Sequence, residues 1–81
     1  MLIIYGTLRC PDCVECLEEL DKSRIPYEFL DFDKDLKVLK EFLKLRDSST
    51  LFDQVREAGN IGIPCIVRED GTLTLDWKTV M

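Results

Sequence analysis

Leu2-Ile3-Ile4-Tyr5-Gly6-Thr7-Leu8-Arg9-Cys10-Pro11-Asp12-Cys13 is the stretch on which the reading of this chain turns. Leu2 to Tyr5 is a short apolar run with the length of a buried strand. Gly6-Thr7-Leu8-Arg9 reads as a loop. Pro11 suits the first turn of a helix, where its missing N–H has no partner to lose. Cys10 and Cys13 thus fall at a strand-to-helix junction, two residues apart. A helix N-terminus carries unpaired N–H groups and partial positive charge, which favours a thiolate there. Two thiols so placed are arranged for thiol–disulfide exchange. Cys10, at the cap, reads as the nucleophile; Cys13, one turn in, reads as the resolving thiol.

The helix continues with Cys13, Cys16, Leu17 and Leu20 on one face and Glu15, Glu18 and Glu19 largely on the other. Ser23-Arg24-Ile25-Pro26 stops it, since a residue before proline avoids the helical region. Tyr27 to Phe32 reads as a second strand. A second helix spans about Asp35 to Leu45, with Leu36, Val38, Leu39, Phe42, Leu43 and Leu45 over half its circumference. The lysines from Lys34 to Lys44 form a solvated face. Thr50 and Asp53 form a weakened capping box for a short helix over Leu51 to Ala58, with Gly59 as its stop. Ile61 to Arg68 is a loop entering a buried strand. Glu69-Asp70-Gly71-Thr72 is a hairpin turn, and Leu73 to Trp77 pairs back as an antiparallel strand. The order is β-α-β-α-α-β-β, a single α/β domain over residues 1–81.

Composition narrows the function. A chain of 81 residues with 46% apolar and 33% charged residues makes one small domain. It buries only about 60% of the surface its unfolded form exposes. A net charge of −5 argues against nucleic acid and anionic membrane as partners. The apolar runs are far too short to span a bilayer, and Met1 to Tyr5 lacks the pattern of a signal peptide. There is no histidine, which removes Ser-His-Asp and Cys-His catalysis and His-ligated metals. Four cysteines do not make a secreted scaffold here. A Cys10–Cys13 bridge closes so small a ring that loop entropy gives only ~2 kcal/mol, against ~4 kcal/mol for Cys10–Cys65. The close pair is a poor staple and a good redox switch, and a reducing cytoplasm follows as the expected location.

The element order, the C-P-x-C motif and the Ile63-Pro64 step before the third strand resemble the glutaredoxin branch of the thioredoxin fold. The resemblance covers Met1 to about Trp77. It implies a four-stranded mixed sheet flanked by helices, with the C-terminal helix truncated because the sequence stops at Met81. It implies disulfide oxidoreductase activity through Cys10 and Cys13, and a cis Pro64 beside the thiols. The Ile63 backbone would then face the thiols and pair with an extended substrate. Arg9, Pro11, Asp12, Ile63, Pro64 and Asp76 are the candidate substrate-binding residues.

Partners would be disulfide-containing proteins or small thiols, with a thiol reductant or reductase to restore the dithiol. The chemistry needs no cofactor. Glutathione is the co-substrate the resemblance suggests, yet Thr7 stands where the family carries a lysine. Thr74-Leu75-Asp76-Trp77 replaces its Gly-Gly and Cys-Asp or Ser-Asp stretch, with only Asp76 as a stand-in one residue out of register. Asp12 replaces the usual aromatic residue between the cysteines. The rival reading is a cysteine-ligated metal or iron–sulfur module. Cys10, Cys13 and Cys16 would be its ligands, with Cys65 as a fourth, since C-x-x-C-x-x-C opens a ferredoxin run. A buried structural role is the simpler reading of Cys16 and of Cys65.

Overall fold

The computed structural model describes residues 1–81. Strand β1 (Leu2–Gly6) runs parallel to β2 (Tyr27–Asp31), and helix α1 (Pro11–Lys22) makes the crossover between them. Helix α2 (Leu36–Ser48), a 3-10 turn (Thr50–Phe52) and helix α3 (Asp53–Glu57) follow. Strand β3 (Cys65–Val67) pairs antiparallel with β1, and β4 (Leu73–Thr74) antiparallel with β3. The sheet order is β2-β1-β3-β4, so the domain is an α/β unit with a mixed four-stranded sheet and three α-helices. No helix is long and apolar enough to cross a membrane.

Strand alternation divides the core into two halves. Ile4 and Ile66 are paired neighbours and pack with Cys16 and Leu20 of α1. Tyr5 and Cys65, the next pair along, point to the other face and pack with Phe42 and Phe52. The Phe42 ring lies 5.8 Å from Phe32, 6.2 Å from Tyr5 and 6.0 Å edge-on from Phe52, so aromatic contacts fill that side. The Ile4–Ile66 and Tyr5–Cys65 pairs thus put α1 and α2 on opposite sides of β1.

Element ends depart from the sequence expectation for local reasons. Helix α1 ends before proline acts. Arg24 adopts the left-handed conformation with φ 56°, and its N–H donates to the Asp21 carbonyl while that of Ile25 donates to Leu20. That is a Schellman cap with arginine where glycine is usual. Helix α2 runs three residues beyond Leu45, and the Ser48 hydroxyl donates back to the Lys44 carbonyl at 2.8 Å. Only Phe42 of that helix is buried. Val38, Phe42 and Leu45 form the stripe that meets the sheet, whereas Leu36 and Leu43 lie off it and are exposed.

Ser49, not Thr50, supplies the next cap, accepting the Leu51 N–H at 3.2 Å. Gly59 ends α3 as expected, with φ 74° and a second Schellman pattern to Arg56 and Val55. The last strand is much shorter than expected. The Thr74 hydroxyl accepts the Asp76 N–H at 3.1 Å and turns the chain out of the sheet. Asp76 then caps a 3-10 turn (Trp77–Val80) in place of a C-terminal helix.

Candidate active site: a dithiol at the N-terminus of the first helix

Cys10 is the residue on which α1 begins. Its backbone is extended (φ −93°, ψ 118°), its N–H donates to the Thr7 carbonyl at 3.1 Å, and its carbonyl accepts from Val14. Its Sγ accepts the N–H of Cys13 at 3.4 Å, the position a serine or aspartate oxygen ordinarily fills at a helix cap. Pro11 occupies the first helical position, as its chemistry predicts. All four cysteines are free thiols.

The two thiols of the motif differ sharply in setting. Cys10 is half-buried at the surface, whereas Cys13 is fully enclosed directly behind it. Burial pushes the Cys13 thiol up to about 12. The Thr7 backbone N–H pulls the other way, and the neighbouring sulfurs of Cys10 and Cys16 push it higher still. Cys13 therefore keeps its proton at neutral pH. An incoming reagent meets Cys10 first.

Gly6 makes this arrangement fit. A Cβ built on it would lie 2.7 Å from Cys13 Sγ. The signal was present in the sequence, as a glycine closing an apolar run where another group must come close. A second glycine, Gly62, has φ 93°, and a Cβ there would lie 2.8 Å from the Phe52 ring. It sits just before Ile63-Pro64, whose peptide bond is cis.

Cys10 opens onto a hollow of about 750 Å³. Thr7 and Arg9 wall it from the loop after β1, Phe32 and Asp33 from the end of β2, and Ile61 and Ile63 from the loop before β3. A smaller hollow of about 310 Å³ adjoins it, reaching Pro64, Asp76 and Trp77. Asp12, Ile63 and Leu75 line both, so the two form one groove past the dithiol.

The structure thus gathers Cys10, Cys13, Arg9, Asp12, Ile63, Pro64 and Asp76 about one groove, with different roles from those expected for some. Arg9, expected as a substrate-binding residue, is engaged by a carboxylate of the protein itself. Its Nε donates to Asp33 at 2.9 Å, an exposed pair formed across the parallel strands. Asp33 was not legible as a site residue, because it reaches Arg9 only through the register of β1 with β2. Pro11 is exposed and lines neither hollow; its part is to start the helix. Asp76 accepts the Lys78 N–H at 3.1 Å as a cap, and its carboxylate still borders the smaller hollow. Thr7 is buried, and its hydroxyl accepts the Arg9 N–H at 3.3 Å.

Cys16 neighbours Cys13 on the buried face of α1, but neither it nor Cys65 lines the groove. Cys16 lies among Ile4, Leu20 and Ile66, and Cys65 lies on the other face of the sheet. Burial pushes each of these thiols up to about 11. No group of three or more cysteine or carboxylate side chains is placed to hold a metal ion. Cys10, Cys13 and Cys16 are thus not grouped as the metal-module reading expected.

Fold and site together define a small α/β protein with a mixed sheet and a C-x-x-C dithiol at the first helix N-terminus. Over 74 residues, covering 91% of this chain and 86% of the other, it is 35% identical to an uncharacterized protein of Haemophilus influenzae. The chain belongs to the family of that protein. No protein-family model and no solved structure matches it.

Proposed function

We propose that this protein is a glutaredoxin-like thiol–disulfide oxidoreductase of the thioredoxin fold. The single observation that carries the reading is the pairing of a half-exposed Cys10 sulfur at a helix cap with a fully buried Cys13 thiol behind it. The Cys10 thiolate attacks one sulfur of a substrate disulfide. A mixed disulfide forms and the first thiolate leaves, taking up the Cys13 proton. The Cys13 sulfur then attacks Cys10, a Cys10–Cys13 disulfide closes and the second thiolate leaves. Two electrons pass from the dithiol to the substrate. A low-molecular-weight thiol or a reductase returns them.

Disulfide-containing proteins or small thiols are the partners this chemistry names. The Ile63 segment lines the groove beside Cys10, where an extended substrate could add its backbone. We assign the protein to the cytoplasm, because Cys16 and Cys65 lie on opposite faces of the sheet and build no disulfide framework.

The test is reduction of a small disulfide by the prereduced protein. Cys10→Ser abolishes it, and Cys13→Ser arrests it at a mixed disulfide visible by mass spectrometry. Undiminished reduction by Cys10→Ser overturns the reading.

A further inference from the structure

The charges around the dithiol are unevenly distributed. The groove is bordered by four carboxylates, Asp12, Glu15, Asp33 and Asp76, and by two cations, Arg9 and Lys78. Arg9 is already taken up by Asp33 at 2.9 Å. Lys78 is drawn towards the Trp77 ring, with Nζ 5.9 Å from its centroid. Asp12 is the one charged residue common to both hollows, and it lies between Cys10 and Cys13 in sequence. The groove therefore carries a net charge of −2 (two cations against four carboxylates). Two apolar residues, Ile63 and Leu75, line both hollows; the larger hollow is mainly apolar and the smaller mainly polar. The carboxylates are divided between the two hollows and do not converge into a metal cage, so they act on a passing ligand as a field.

We propose that this groove selects positively charged disulfides and discriminates against anionic ones. The proposal rests on the oxidoreductase reading and names the substrate class for it. The larger, mainly apolar hollow beside Cys10 takes the carbon skeleton, and Asp12, with Glu15 and Asp76 of the polar hollow, receives ammonium or guanidinium groups flanking the disulfide. A disulfide bearing carboxylates must bring like charge to the same groove. The exchange itself is unchanged: both electrons come from the Cys10/Cys13 pair, the Cys13 proton ends on the first product thiol, and the second leaves as a thiolate that takes its proton from water.

Three small disulfides of similar size test the idea: cystamine, a dication; bis(2-hydroxyethyl) disulfide, neutral; and 3,3′-dithiodipropionate, a dianion. Single-turnover rates are measured with prereduced protein in excess. Each is divided by the rate of the same disulfide with dithiothreitol, which removes intrinsic reactivity. For a net field of two charges acting through water over several ångströms, the dication should lead the dianion by about tenfold at low ionic strength. The lead should shrink to about twofold at 0.5 M salt. Asp12→Asn combined with Glu15→Gln should reduce it to a similar extent at low salt. A lysine-flanked cystine peptide and its glutamate-flanked counterpart separate the two sources of such a ligand. A larger charge ratio for the peptides than for the small series assigns a polypeptide substrate, and an equal ratio a small amine.

Equal normalised rates, or a faster dianion, overturn the charge selection while leaving the oxidoreductase reading standing. Absence of reduction of all three, together with an unreactive Cys10, overturns both.

Discussion

Gly6 and Cys13 occupy one another's space. The Cys13 sulfur fills the position a side chain at residue 6 would need, with only 2.7 Å between them. The last residue of β1 and the third of α1 are therefore matched, and the depth of the Cys13 thiol is set by the strand.

Replacing Gly6 tests that match. Gly6→Ala should push Cys13 Sγ from its site and destabilise the fold by about 1–3 kcal/mol, the usual cost of overpacking a tight interior. Urea denaturation measures the loss. On the proposed mechanism the second step suffers more than the first, so the mixed disulfide should persist longer in this variant by mass spectrometry.

The buried thiols make stability fall in alkali. Cys16 and Cys65 are raised to about 11 and Cys13 to about 12, each by burial, from an ordinary value of 9.0. A raised folded value favours the protonated form. Its stabilisation is complete below the unfolded value and is lost as pH climbs from about 9 through 11 and 12. The urea midpoint should therefore drop across that window. Thiolate absorbance of the folded protein near pH 9 should stay well below that of the protein in denaturant. A thiolate signal already equal to that of the denatured chain would contradict the buried placement.

Two glycines with similar backbones should behave differently. Gly62 and Gly71 both have positive φ, 93° and 87°, but a Cβ at Gly62 meets the Phe52 ring while one at Gly71 meets nothing within 4 Å. Gly71→Ala should cost about 1–2 kcal/mol, the backbone penalty alone. Gly62→Ala should cost more, since Phe52 is fully buried and has little room to move. Thermal denaturation of the two variants gives the comparison directly, and equal losses would refute it.

One substitution should stabilise. Arg24 holds φ 56° at the end of α1, where a Cβ is unfavourable. Its backbone N–H makes the cap, and no hydrogen bond or ion pair of its side chain offsets the cost. Arg24→Gly should raise stability by about 0.5–1 kcal/mol despite the greater freedom of glycine in the unfolded chain. A lowered melting temperature would reject this account of the cap.

The fold was legible where chemistry is local. Pro11 starts a helix wherever it is placed at the first turn, and the spacing of Cys13, Cys16 and Leu20 marked a face that is buried. Gly59 stopped α3 through its own conformation, and the Asp70-Gly71 hairpin closes with Arg68 and Thr72 hydrogen-bonded. The misreadings arose where the outcome depends on distant contacts. Leu75 to Trp77 alternate like a strand, yet the Thr74 hydroxyl competes for the backbone and ends β4 after two residues. Leu36 and Leu43 are as apolar as Phe42, and only the position of α2 on the sheet leaves them outside. The thiol pair could be found from spacing alone. Its wall could not: the Arg9–Asp33 pair exists because β1 and β2 set their ends side by side, and no window of sequence contains both partners' geometry.

The sheet also keeps sulfur from sulfur. Cys16 and Cys65 would close a loop of roughly fifty residues, a crosslink worth about 4 kcal/mol by chain entropy and hence hard to undo. They are enclosed on opposite sides of β1 and β3, so that crosslink is open only to a chain that has already lost its layers. The least buried sulfur of the intact molecule is that of Cys10, and a bond from it to Cys13 would close only a small ring. In the redox cycle proposed above, insulation of this kind would let a protein with four thiols be oxidised repeatedly without being locked into a dead form.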